Sequence, residues 1–272
     1  MGSKSGVPRP FLKWAGGKRQ LLGVLRDHFP RRFDRFHEPF VGGGAVFFGL
    51  LPERAVLADN NRELMNCYVV IRERVEELIA ALEQHVYDRD HYYRVRDLDP
   101  DDLLPVAAAA RTIYLNRAGF NGLYRVNNRG RFNVPFGRYN NPRICDEDNL
   151  RACSRALAGA TLLRESFENV LDRAQPGDLV YLDPPYIPLE SKQSFTAYQK
   201  RGFGMEHQEK LADVFDALAE RGAHVVLSNS DVPWVHERYA GHEIHRITAW
   251  RHINRKGSER GPVGEVVVVG RR

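Results

Sequence analysis

Apolar and polar positions in the first sixty residues fall into short blocks. Phe36-His-Glu-Pro-Phe-Val41 is a brief apolar run, Gly42-Gly43-Gly44 interrupts it, and Ala55-Val-Leu-Ala-Asp59 resumes it. That order predicts strand, tight turn, helix and strand, a βαβ unit whose helix is limited to Ala45 through Leu51 by Pro52. The period then lengthens. Leu64, Tyr68, Ile71, Val75, Leu78 and Leu82 recur every three or four residues, which predicts one helix of about six turns with a single apolar stripe. A second helix is expected from near Pro105 through four alanines to Ile113 and Tyr114. Tyr124-Arg-Val126 and Arg131-Phe-Asn-Val134, flanking Asn127-Asn-Arg-Gly130, predict a β-hairpin. No strand–helix alternation occurs between about 62 and 143, so this stretch reads as an inserted, mostly helical subdomain.

Alternation returns afterwards. Leu150, Cys153 and Leu157 mark a helix closed by Gly159, and Thr161-Leu-Leu163 and Val180-Tyr-Leu182 are short strands. Leu211, Val214, Phe215 and Leu218 predict a helix stopped by Gly222, followed by the strand Ala223 to Leu227. Strand-like stretches Glu243 to Trp250 and Glu265 to Val269 follow, joined by a polar loop from Arg255 to Gly264. Two successive strands with no helix between them predict an antiparallel hairpin closing a mostly parallel sheet. The fold class is therefore α/β.

Composition narrows the classes of function. The chain has 272 residues, 43% hydrophobic and 28% charged, enough for a sizeable core and against global disorder. Its longest apolar stretches, Ala45 to Leu51 and Val266 to Val269, fall far short of the roughly 20 residues of a membrane span. The N-terminal residues have no apolar stretch like a signal peptide, and Gly6 stands where a myristoylation signal wants Ser or Thr. Cys67, Cys145 and Cys153 form no Cys-x-x-Cys pair, so free thiols in a reducing cytoplasm are expected, with no metal site. The net charge of +5 is uninformative beside its distribution. Between Arg111 and Arg143 stand seven arginines and no Asp, Glu or Lys, interleaved with Tyr114, Phe120, Tyr124, Phe132, Phe136 and Tyr139. Arginine with aromatics and glycines suits phosphate contact, base-edge hydrogen bonds and stacking.

Three glycine- or proline-bearing turns carry candidate chemistry. Phe40-Val-Gly-Gly-Gly44 lies between a predicted strand and helix, where glycines let a ligand approach the backbone. The third glycine of a dinucleotide fingerprint would fall at 47, which is Phe, so a nucleoside without a pyrophosphate is favoured. Asp59, 15 residues after Gly44, ends the next strand, where a carboxylate can accept from both ribose hydroxyls or cap the next helix. Trp14-Ala-Gly-Gly-Lys18 imitates a phosphate loop but has Leu12 and Arg19 where Gly and Ser or Thr are needed, which disfavours ATP. Finally, Leu179-Val-Tyr-Leu182 runs into Asp183-Pro-Pro-Tyr186. The prolines stiffen this turn and remove two backbone donors. The Asp183 carboxylate and the Pro184 carbonyl are then placed to accept from the two hydrogens of an exocyclic amine, with Tyr186 as a stacking face.

Taken with those turns, several longer strings resemble the Dam family of DNA adenine N6-methyltransferases, the D12 class. They are Phe11-Leu-Lys-Trp-Ala-Gly-Gly-Lys18, Glu38-Pro-Phe-Val-Gly-Gly-Gly44, Leu57-Ala-Asp59, Tyr114 to Arg125, Gly130 to Tyr139, Asp183-Pro-Pro-Tyr186 and Phe195-Thr-Ala-Tyr198. They occur in the family's order and span nearly the whole chain. The resemblance implies a Rossmann-like, S-adenosylmethionine-dependent sheet from residues 1–61 and 146–272, with a target-recognition domain inserted at 62–145. It implies that Trp14, Lys18, Asp59 and Asp183 line the S-adenosylmethionine site, which Gly42 and Gly44 shape. Asp183, Pro184 and Tyr186 would hold an adenine flipped from the duplex, since a stacked, paired amine cannot meet the methyl donor. Lys13, Phe120, Asn121, Leu123, Arg125 and Pro135 match positions that read or wedge the GATC site, Arg125 by a bidentate contact to guanine. Phe120 brings no hydroxyl to its position. Transfer is expected as direct displacement without a metal, by a monomer acting on double-stranded DNA in the bacterial cytoplasm or nucleoid, or from a phage gene. The rival expectations are a catalytically inactive DNA-binding regulator, and an adenine methyltransferase of another DNA site or of RNA. Residues 187–204 read equally as a segment that covers DNA and as a solvated linker.

Overall fold

Several of the strands are short apolar runs, among them Ala55-Val-Leu-Ala58 and Leu179-Val-Tyr-Leu182. In chain order they are β1 (Phe36–Glu38), β2 (Ala55–Ala58), β3 (Ala160–Leu163), β4 (Leu179–Leu182), β5 (His224–Ser230), β6 (Glu243–Trp250) and β7 (Pro262–Val269). The helices are α1 (Leu22–Asp27), α2 (Ala45–Leu50), α3 (Arg62–Glu73), α4 (Val75–Glu83), α5 (Arg89–Asp97), α6 (Pro105–Ala118), α7 (Glu147–Leu157), α8 (Met205–Glu220) and α9 (Pro233–Arg238). This computed structural model describes residues 6–188, 203–250 and 262–271. The chain divides into two compact units: Met1–Arg19 with Gly42–Leu51 and Asp59–Arg164, and Gln20–Val41 with Pro52–Ala58 and Glu165–Arg272.

The second unit carries the sheet. Its strands lie in the order β2-β1-β4-β5-β7-β6. β1 pairs parallel with β2 and β4, and β4 pairs parallel with β5. β7 runs antiparallel to both β5 and β6, the expected terminal hairpin. Every residue of β1, β2 and β4 is buried, as parallel strands covered on both faces require. Leu211, Phe215 and Leu218 of α8 pack with Val225, Leu227, Val266 and Val268 of the sheet. Chain order reverses between β1 and β4, and ligands of open α/β sheets bind beyond the carboxyl ends of strands at such a point. Glu38 and Asp183 stand at those two strand ends.

The first unit holds the helices predicted between residues 62 and 157, with one correction. The stripe from Leu64 to Leu82 belongs to two helices, because Arg74 leaves the helical region (φ −140°, ψ 41°) between α3 and α4. Leu78, Ile79 and Leu82 continue the buried face, so a one-residue break is invisible to periodicity. α3 starts on Asn61, whose side chain accepts from Leu64 N–H at 3.0 Å. α5 carries only Tyr92 and Val95 as buried residues, too sparse a pattern to announce a helix. The hairpin at 124–134 is narrow, with one bridge pair, Val126 with Phe132, and Asn127 N–H donating to Arg131 O at 2.8 Å. Among the described residues, no helix is long and apolar enough to cross a membrane.

Candidate active site and nucleic-acid interface

Backbone conformation dictates the glycine turn. Gly42 and Gly44 have φ of 47° and 70°, a region that costs an L side chain about 1–2 kcal/mol. Space is closed as well: a Cβ on Gly42 would lie 2.8 Å from Trp14 Cδ1, and one on Gly44 2.6 Å from the Tyr68 hydroxyl. Gly42 is gripped through both backbone groups. Its N–H donates to Asp59 Oδ2 at 3.2 Å, and its carbonyl accepts from Tyr68 OH at 2.9 Å. Asp59 takes a further N–H from Asn61 at 2.9 Å. Burial raises the Asp59 pKa, against the lowering by these N–H groups. Lys18 is buried and donates from Nζ to Gly16 O at 2.9 Å, while the Trp14 ring stacks on Tyr124 with centroids 4.9 Å apart. The first unit thus brings Trp14, Gly42, Gly44 and Asp59 together, with Tyr68 and Tyr124 as partners that motif reading missed.

A second group of the same unit assembles around Asn116, which is 1% exposed. Its Oδ1 accepts from Lys13 N–H at 2.9 Å, and its Nδ2 donates to Lys13 O at 2.9 Å and to Gly122 O at 2.8 Å. One buried amide therefore ties Lys13 to the turn Phe120-Asn-Gly122. Gly122 has φ of 63° and lies against the Lys13 side chain, so only glycine fits. Phe120 N–H donates to Pro135 O at 2.9 Å, and Phe120 itself is 47% exposed although large and apolar. Arg125 is exposed; its Nε donates to Asn133 Oδ1 at 2.6 Å and its Nη2 to Asn133 O at 3.0 Å. Lys13, Phe120, Asn121, Leu123, Arg125 and Pro135 thus share one stretch of framework.

The arginine-rich run is less open than its composition implies. Arg111 is 2% exposed and paired with Glu63 at 3.1 Å. Arg131 pairs with Asp99 at 2.7 Å and Arg143 with Asp146 at 3.0 Å. Arg117 donates to Phe11 O at 2.8 Å. Acids outside the run pair with three of its arginines. Arg125, Arg129 and Arg138 stay exposed with no acid paired to them among the described residues, while Arg131 and Arg143 are exposed but paired.

In the second unit, Asp183-Pro-Pro-Tyr186 leaves the carboxyl end of β4. Pro184 is buried, and Asp183 and Tyr186 are half-buried. Side chains from three other elements hold this turn. Gln208 of α8 donates to Pro185 O at 2.9 Å and accepts from Asn229 Nδ2 at 3.1 Å. Asn229 Oδ1 accepts from Ile187 N–H at 3.3 Å, and Ser230 Oγ donates to Ile187 O at 2.6 Å. Tyr186 OH donates to Glu265 Oε2 on β7 at 3.2 Å. Burial, then the charge of Asp183, pushes the Tyr186 phenol well above its ordinary pKa, so it stays protonated. Gln208, Asn229, Ser230 and Glu265 lie far from the motif in sequence, and no local pattern marks them. Residues 189–202 and 251–261, with Phe195-Thr-Ala-Tyr198 and most of the polar C-terminal loop, lie outside the described residues.

The donor chemistry of the glycine turn fits a nucleoside sulfonium. A carboxylate with spare lone pairs suits a ribose diol, an aromatic ring covers the turn, and the Lys18 ammonium suits a carboxylate. The second unit's Rossmann-like sheet with its last strand, β7, antiparallel, and, in the first unit, a glycine turn without the pyrophosphate glycines are features of the S-adenosylmethionine-dependent methyltransferase class. The chain is a member of one family in that class, since the model for D12 class N6 adenine-specific DNA methyltransferases matches residues 14–253. It is 43% identical to the Type II methyltransferase M1.LlaDCHI of Lactococcus lactis subsp. cremoris, covering 96% of this chain and 94% of that one. Identity to the Type II methyltransferase M.MjaIII of Methanocaldococcus jannaschii is 40%, over 93% and 95% of the two chains. With the DNA adenine methylase of Escherichia coli K12 it is 36%, over 96% and 95%. The protein is an adenine-specific DNA methyltransferase, and S-adenosylmethionine is its methyl donor.

Proposed function

We propose that this enzyme methylates adenine N6 at GATC in double-stranded DNA, after turning the adenine out of the helix. The reading assigns target recognition to residues 62–145 and cofactor binding and catalysis to residues 1–61 and 146–272. Its chief support is Arg125. Two of the five N–H groups of its guanidinium are taken up by Asn133, which pre-orients the group and leaves three to donate. A held, exposed guanidinium suits the O6 and N7 acceptors of guanine in the major groove. Phe120, large, apolar and exposed, is the residue to wedge into the stack that the adenine leaves, with Lys13, Asn121, Leu123 and Pro135 flanking it.

S-adenosylmethionine, when bound, supplies a methyl group on a positively charged sulfur. The Asp59 carboxylate accepts the ribose hydroxyls, Trp14 covers the nucleoside, Lys18 neutralises a carboxylate, and Gly42 and Gly44 let Trp14 and Tyr68 pack close against the turn that carries them. Asp183 and the Pro184 carbonyl each accept one hydrogen of the adenine amine. That pulls the nitrogen lone pair out of conjugation and makes it nucleophilic, while Tyr186 stacks on the ring. Direct displacement needs no covalent enzyme intermediate. One recognition segment reads one adenine at a time, so a monomer suffices, acting where the chromosome lies in the cytoplasm.

The test is transfer of labelled methyl to a duplex with a single GATC and to one with that site scrambled. Label on adenine N6 of the first alone is expected, with Asp183→Ala inactive. Arg125→Ala should reduce discrimination between the duplexes by about 1–3 kcal/mol. Equal label in both duplexes from the unaltered enzyme would remove GATC from the assignment.

A further inference from the structure

Tyr124 lies between two features that the motifs treat separately. Its hydroxyl donates to Glu63 Oε1 at 2.9 Å. Glu63 is itself anchored, because its Oε2 accepts from Arg111 Nη1 at 3.1 Å and from Thr112 Oγ at 3.0 Å. Arg111, buried, spends its remaining contacts on Val95 O at 3.1 Å and Arg96 O at 2.9 Å. This arginine of the basic run therefore serves as an internal post for a carboxylate. The Tyr124 ring lies on Trp14 at 4.9 Å and 26°, with Phe132 of the facing hairpin arm edge-on to it at 5.9 Å. Trp14 in turn closes the space above Gly42, whose N–H is held by Asp59 and whose carbonyl is held by Tyr68. The next residue along, Arg125, is exposed and held by Asn133.

We propose that Tyr124 is a positioning residue that couples cofactor binding to target reading. Glu63 fixes the far end of its ring, the ring sets Trp14 against the glycine turn, and its backbone carries Arg125. A shift of Arg125 on meeting its base is passed through one peptide unit to the wall of the cofactor turn. By linkage the reverse transfer is equal in free energy. The inference rests on Trp14 contacting the cofactor and Arg125 contacting the target, as proposed above.

The test measures binding of S-adenosylhomocysteine, which cannot turn over, to the full-length protein with and without a GATC duplex. The unaltered protein should bind it more tightly with the duplex present. In Tyr124→Leu, affinity without DNA should fall about two- to tenfold, the worth of an aromatic pair, and the duplex should no longer change it. Tyr124→Phe, which keeps the ring but loses its tie to Glu63, should bind nearly normally without DNA yet respond less to the duplex. A folding defect alone lowers the melting temperature and leaves the ratio of the two affinities intact, so a normal ratio in Tyr124→Leu overturns the proposal. If Tyr124→Leu does not fold, the ratio in Tyr124→Phe decides in the same way. Trp14→Ala separates the two readings. Normal affinity in that variant removes Trp14 from the cofactor site and the inference with it. A large loss there, beside a normal Tyr124→Leu, sinks the inference alone.

Discussion

The turn after β1 and the turn after β4 both leave the carboxyl end of a parallel strand, and they are held by opposite means. Gly42 to Gly44 make the first by abandoning side chains, so the backbone folds tightly at positive φ and large neighbours, Trp14, Tyr68 and Phe48, close on it. The Asp183 turn keeps its side chains and is stiffened by two prolines, then tied by Gln208, Asn229, Ser230 and Glu265. Glycine permits a shape that packing must then enforce. Proline restricts the shape at the outset, and hydrogen bonds need only fix where the turn points. The first arrangement makes the turn's shape depend on the aromatics packed against it, the second on where its own side chains and carbonyls point.

Substitution should separate the two. Gly44→Ala is expected to have the largest effect, since it combines positive φ with a Cβ at 2.6 Å from Tyr68 OH. A loss of about 2–4 kcal/mol in stability is expected by denaturation, with weakened cofactor binding. Gln208→Leu should cost less, about 1–3 kcal/mol for the buried polar contacts it removes. Its signature should be a fall in kcat with little change in KM for S-adenosylmethionine, and equal losses in both parameters would contradict the division of labour drawn above. Smallest is a pH effect on the first turn alone. Because burial raises the Asp59 pKa, its carboxylate takes up a proton on acidification at a higher pH than an ordinary Asp. Cofactor affinity should therefore weaken as pH falls through that raised value and be retained above it, and Asp59→Asn should flatten the profile. An unchanged profile in Asp59→Asn would remove the residue from cofactor binding.

Local pattern carried the strands, the glycine turn and Asp183-Pro-Pro-Tyr186, because each depends on residues within one or two turns of chain. It could not carry Arg74, where one residue leaves the helix without disturbing the apolar stripe. Nor could it foresee that Arg111 and Arg131 would meet Glu63 and Asp99, both outside the acid-free run and far from them in sequence. Counting charge along a segment describes its field only if no acid folds against it. The supports of the Asp183 turn were hidden for the same reason: Gln208 and Asn229 are neutral residues in a helix and a strand, and become informative only when burial leaves them a single set of partners.

The pairing of β1 with β4 also has a meaning in time. Phe36 aligns with Leu179 and His37 with Val180, across 143 positions of chain. At the usual ribosomal pace of about 5–20 residues per second, roughly 7–30 s separate the synthesis of the two strands. Through that interval one edge of β1 has no native partner, and such an edge recruits strands from other nascent chains. Crowded, fast expression should therefore trap this protein more readily than slow expression, however stable the finished sheet.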